Sequence, residues 1–308
     1  MKHASFKFKS STLKSWTCAG LLALTLTGCG PLAGNPLRDQ IAHRLAAPSW
    51  MVERQVEAGP YMLTAYERMH ERQSTGTLYI EGDGQAYLGT NKSVLGKDVF
   101  DPTPVNPVAL HLASKDPAAN LAYIARPCQY SGLTDRDAAC GLENWGAAAY
   151  SEQTLAAYNE ALNKIKSRYD LTAIHLIGYD SGATLAALLA AGRHDILSLR
   201  TVAGNFDTDV LAPHAANLRA LPQRHFIGGQ DTVTPPANLY AYLQLLKGSE
   251  CADYTFIQEA EHEKGWVDKW AELLKQDIPR CTVTTPPAFV PIEKPEPIYY
   301  PHMGDSKK

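Results

Sequence analysis

Beyond residue 30 the chain has no apolar run long enough to span a bilayer, so membrane-spanning helices are excluded from that part. Charge of one sign is also lacking. Lys and Arg total 29 against 32 Asp and Glu, a formal net charge of −3, and no basic run occurs outside the N-terminus. That removes the electrostatic footprint of a nucleic-acid partner. Cysteine is scarce, with six in 308 residues, and no CxxC or neighbouring His offers a zinc pattern. There is no internal repeat. What remains is ordinary: 45% hydrophobic and 20% charged residues indicate a globular chain with a sizeable core. The length suits one or two domains, and one large α/β domain is enough.

The N-terminus is the exception to this plain composition. Lys2, Lys7, Lys9 and Lys14 make a cationic region, an apolar stretch runs from Ala19 to Leu26, and Leu26-Thr27-Gly28-Cys29 closes it. That order is the pattern of a secretory signal and is too short for a membrane span. A Leu, two small residues and a Cys resemble the bacterial lipobox, which implies cleavage after residue 28 and acylation of the Cys29 thiol. The acyl chains would hold the protein on a membrane surface. Gly30, rather than Asp, follows the Cys, which resembles sorting to the outer membrane, facing the periplasm. Residues 29–50 then read as a tether, 51–281 as the folded domain and 282–308 as a Pro-rich extended tail. The tail aromatics Phe289, Tyr299 and Tyr300 are free to pack back on the domain.

Cys18 leaves with the signal and Cys29 is the lipid site. Cys128, Cys140, Cys251 and Cys281 stay in an exported, oxidising compartment, where disulfides persist. Of the three possible pairings, Cys128–Cys140 with Cys251–Cys281 closes the shortest loops and is the expected one.

From Tyr61 onward strands and helices alternate. Strands are predicted at 61–66, 77–80, 120–125, 173–177, 199–203, 225–228 and 254–258. Residues 151–169 have helical spacing (Leu155, Tyr158, Leu162, Ile165), and 182–192 are rich in Ala and Leu, as a buried helix would be. Further helices are expected at 237–246 and 264–274. Interleaving of this kind predicts a single α/β domain: a mainly parallel sheet with helices on both faces.

The chemistry centres on Leu176-Ile177-Gly178-Tyr179-Asp180-Ser181-Gly182. A strand entering a tight turn and then an Ala-rich helix is the context of a nucleophile elbow. The turn needs small residues two positions before and two after its apex, and Gly178 and Gly182 supply both. That frame puts Asp180 at the apex. With Ser181 at the apex, Tyr179 would fall where a small residue is required. Asp231, in Gly228-Gly229-Gln230-Asp231-Thr232, follows a predicted strand, and His262 follows the last one. The order of apex, acid and His brings all three to the carboxyl ends of the strands. The Gly82-Asp83-Gly84 loop resembles an oxyanion-hole loop, with the backbone N–H of Ser181 as the second donor.

Together these features resemble the α/β-hydrolase superfamily, over about residues 60–281. Two motifs, Leu78-Tyr79-Ile80-Glu81-Gly82-Asp83-Gly84 and the stretch 175–187, are similar to exported bacterial α/β-hydrolase-like lipoproteins of unassigned substrate. The resemblance implies that Asp231 orients His262 and that His262 is the general base. It departs at the apex, where Ser is expected and Asp180 stands.

Three readings follow from that departure. One is a hydrolase-type domain of carboxylic-ester ancestry whose Ser has been replaced. Another is a non-catalytic binding module that kept the fold, with Asp180 as an ion-paired partner of His262 and either a ligand in the pocket or a protein on the surface. The third is an Asp-nucleophile hydrolase like the haloalkane dehalogenases and epoxide hydrolases, in which a carboxylate attacks an alkyl carbon and needs no base for that step. Dehalogenases typically carry Trp after the Asp, whereas Ser181 stands here. Epoxide hydrolases use lid tyrosines, and only about 18 residues, 205–222, are available as a lid. No metal or organic cofactor is implied, and the oligomeric state is left open.

Overall fold

A computed structural model of the protein describes residues 36–84, 102–130, 140, 144 and 148–281. The signal-like segment, Cys18, Cys29, Gly30 and the tail 282–308 lie outside the described residues.

Eight strands form one sheet in the order β1-β2-β4-β3-β5-β6-β7-β8. β1 (Val52–Ala58) and β2 (Tyr61–Met69) make a hairpin, and β2 runs antiparallel to β4 (Asn120–Ile124). β3 (Gly76–Ile80), β4, β5 (Ile174–Tyr179), β6 (Ile196–Val202), β7 (Gln223–Gly228) and β8 (Ala252–Ile257) pair in parallel. Strands covered on both faces are apolar throughout, with neighbours pointing to opposite cores. Leu78, Ile80 and Leu176 pack into one cluster, while Tyr79 and Ile177 pack into the other.

α1 (Pro36–Ala46), α2 (Val108–Lys115) and the short α8 (Trp270–Leu273) cover one face. α3 (Glu152–Tyr169), α4 (Gly182–Ala191) and α7 (Pro236–Leu245) cover the other. α3 starts where the Ser151 side chain accepts from the Thr154 N–H, and it ends at Asp170 with φ 55°. All ten residues of α4 are buried. Each of its leucines contributes about 1.5–3 kcal/mol by leaving water, so α4 is held by packing on every side.

The chain moves from β3 to β4 on one side, then to β5 on the other. The order in which strands are added therefore reverses between β3 and β5, parallel neighbours whose ends lie side by side, with Ile80 opposite Gly178. Crevices at such points are where open α/β sheets bind ligands.

Two expectations need correcting. The tether assigned to 29–50 contains α1 and a 3-10 turn (Ala47–Ser49), because Ala42 and Ala46 are buried against α2. The helix expected over 264–274 is reduced to the turn Val267–Lys269 and the single-turn α8, pinned by the buried Trp266 and Trp270. Residues 205–222, the stretch available as a lid, are folded onto the domain. They fold as α5 (Thr208–Leu211), a 3-10 turn and α6 (Ala215–Arg219), with Leu211 and Leu218 in the core beneath α4. β1 and α2 were not anticipated. The four cysteines pair as expected, Cys128 with Cys140 and Cys251 with Cys281, at Cα separations of 5.7 and 5.0 Å. Among the described residues no helix is long and apolar enough to cross a membrane.

Candidate active site

The turn after β5 is as tight as its glycines suggest. A Cβ on Gly178 would lie 2.5 Å from the Gly182 carbonyl oxygen, and one on Gly182 would lie 2.5 Å from the carbonyl oxygens of Ile80 and Glu81. Asp180, between them, has φ 50°, a left-handed conformation that costs a non-glycine residue free energy and persists only where the surroundings enforce it. Here they do. Its N–H donates to the Val202 carbonyl, and its own carbonyl accepts from Ala183 (2.9 Å) and Asn205 (2.9 Å).

His262 stands over the turn. Its Nε2 is 3.7 Å from Asp180 Oδ1, and its Nδ1 is 3.0 Å from Asp231 Oδ2. Asp231 is itself fixed, because its Oδ1 accepts from the N–H groups of Val233 (2.9 Å) and Thr234 (2.7 Å). The Tyr179 hydroxyl and the Trp266 indole N–H donate to the His262 carbonyl. Asp180 and His262 side chains keep 15% and 14% of their exposure, so both remain within reach of solvent.

On the other side of Asp180 lies the loop after β3. The Asp83 N–H donates to Asp180 Oδ2 at 3.4 Å, and the backbone of Ser181 bonds the same carboxylate. A Cβ on Gly82 would lie 2.7 Å from Asp180 Oδ2, so only glycine lets this loop approach. Gly84 serves the turn instead: its φ is +61°, and a Cβ there would meet the Pro102 carbonyl at 2.2 Å. The Asp180 carboxyl is pushed up to about 6, first by burial and then by the charge of Asp83, with His262 opposing. For His262, burial disfavours the cation. The hydrogen bond to Asp231 and the charges of Asp180, Asp231 and Glu263 outweigh it and raise the imidazole above its ordinary value.

The Ser181 side chain is turned away. It is fully buried, and its Oγ accepts from Arg126 Nη1 at 3.0 Å. Arg126 was missed in the sequence, as were Gln129 and Glu81. The buried Arg126 guanidinium also lies 3.3 Å from Asp83 Oδ1. Gln129 accepts from the Arg126 N–H and donates to the Gly82 carbonyl at 2.9 Å. Glu81 Oε1 accepts from the Gly82 N–H (3.0 Å), and burial pushes this carboxyl up to about 7. A lone Arg directly after the apolar run of β4 was the available signal.

No protein-family model and no curated protein matches the chain. Solved structures do. An α/β-hydrolase candidate of unknown function from Agrobacterium tumefaciens superposes with a TM-score of 0.52 at 17% identity, over 72% of this chain and 93% of that one. The fold is that of the α/β hydrolases. Est1E from Butyrivibrio proteoclasticus superposes as well (0.50, 12% identity, 72% of this chain and 97% of that one). So does an α/β serine hydrolase homologue from Coxiella burnetii (0.50, 17% identity, 72% and 95%). At these identities the likeness is one of fold.

Proposed function

We propose that this α/β-hydrolase-fold chain is a hydrolase-type protein of carboxylic-ester ancestry in which Asp180 replaces the nucleophilic Ser. We further propose that it is a lipoprotein, anchored through Cys29 in the outer membrane and facing the periplasm. One observation carries the first proposal. The Asp180 carboxylate lies between the Asp83 N–H and His262, which Asp231 holds in turn. A serine enzyme needs that same base and that same N–H for its hydroxyl and its oxyanion.

With Asp180 in place, serine chemistry is blocked in two ways. The carboxylate has no hydroxyl proton for His262 to remove, and its Oδ2 occupies the position where an ester's oxyanion would form. Restoring the hydroxyl tests the reading. Asp180→Ser is expected to hydrolyse short p-nitrophenyl esters well above the wild type, and adding His262→Ala should remove the gain. General-base help is usually worth ~10²–10⁴-fold. No gain from Asp180→Ser would favour a binding module with a small-molecule ligand.

The position of Oδ2 also favours a second reading. If Oδ1 attacked an alkyl carbon, displacing halide or opening an epoxide, the resulting ester would keep its carbonyl oxygen, Oδ2, on the Asp83 N–H. Water deprotonated by His262 would then attack Cγ, the alkyl C–O bond would stay intact, and the alcohol would leave from Cγ. Entry of ¹⁸O from labelled water into Asp180 during turnover distinguishes this from the first reading.

A further inference from the structure

Burying a guanidinium is unfavourable unless it is paired and hydrogen-bonded, so the contacts of a buried Arg matter. Arg126 follows β4 and is 1% exposed. Its Nη1 donates to Ser181 Oγ (3.0 Å) and lies 3.3 Å from Asp83 Oδ1, its Nη2 donates to the Ala149 carbonyl (3.2 Å), and its guanidinium carbon lies over the Tyr150 ring, 5.6 Å from the centroid. Ser181 and Asp83 are the residues whose backbone groups bond the Asp180 carboxylate. They come from different elements, the start of α4 and the loop after β3, with no covalent reason to stay in register. Gln129, three residues on, holds the same loop through the Gly82 carbonyl.

We propose that Arg126 is a positioning residue that clamps the two halves of the oxyanion hole together and neutralises Asp83 beside Asp180. The proposal rests on the reading of the site given above. It reaches the reacting atoms only through Asp83 and Ser181. The planar fork matters, because Nη1 meets both partners while Nη2 is anchored on the Ala149 carbonyl, a fixed orientation that an ammonium, a point charge, does not have.

The test uses the full-length protein in an Asp180→Ser background and reads the rate of labelling by a fluorophosphonate probe. Arg126→Met alone leaves Asp83 buried and unpaired and can prevent folding, so it is combined with Asp83→Asn and compared with Asp83→Asn alone. The clamp predicts labelling slower by about 10²-fold at saturating probe, the scale of a small misplacement at a reacting centre, with the half-saturating probe concentration little changed. Arg126→Lys should fall between the two. An unchanged rate in the Met variant overturns the proposal. A second readout keeps Asp180. By NMR, the residue 83 amide proton should follow the titration of Asp180, and it should lose most of that response when Arg126→Met is added to Asp83→Asn. A retained response also overturns the clamp. If Asp180→Ser is not labelled at all, the ester reading fails, and the amide titration still decides the role of Arg126.

Discussion

Carboxylic acids crowd this site, and their environments set them apart. Asp231 is held by two backbone N–H groups, Asp83 by Arg126, and Asp180 shares His262. Glu81 lies under the oxyanion loop with burial as its dominant influence, and its carboxyl is pushed from 4.5 up to about 7. The folded state therefore favours its protonated form. That contribution to stability is complete below about pH 4.5 and is lost as the pH rises through about 7. Glu81→Gln keeps an acceptor for the Gly82 N–H and removes the charge. We expect the variant to gain on wild type as pH rises across this window, by up to roughly 3 kcal/mol at about 1.4 kcal/mol per unit. Urea midpoints of both proteins on either side of the window check this, and a difference independent of pH would contradict it.

The strand–turn–helix unit of β5 and α4 supports the site, and its tolerance is small. Gly182→Val would drive a branched side chain into the carbonyl oxygens of Ile80 and Glu81, backbone atoms that cannot rotate away. Overpacking typically costs about 1–3 kcal/mol, and here the clash also separates α4 from β3. A lowered urea midpoint is expected, and a variant as stable as wild type would mean the turn is looser than its geometry. This unit was legible in the sequence because its signals are local: an apolar run, glycines on either side of an apex, and an Ala-rich helix. Asp231 and His262 were legible for the same reason, each following a strand. α1 was hidden because two small alanines among polar residues carry its burial, and β1 because its edge position leaves Glu53, Gln55 and Glu57 facing outward. Arg126 was hidden for a different reason. Its partners are 43 and 55 residues away in sequence, and only the fold brings them together.

For the whole molecule, the near-neutral charge gives no electrostatic reason to stay at a membrane. Attachment would then depend on acyl chains at Cys29. Cys29→Ala is expected to move the protein from the membrane fraction to the soluble one and to abolish incorporation of labelled palmitate. Unchanged labelling of that variant would remove the anchor from the account.

The central claim is that a serine-type apparatus persists around an aspartate: base, orienting acid and oxyanion-hole N–H groups are assembled, and only the hydroxyl is missing. Intact-mass analysis after exposure to a fluorophosphonate probe tests it most directly. The account predicts no adduct on the wild-type protein, one adduct on Asp180→Ser, mapped by peptide sequencing to position 180, and none when His262→Ala is added. An adduct on wild-type Ser181, or an Asp180→Ser protein that folds and stays unmodified, would contradict it.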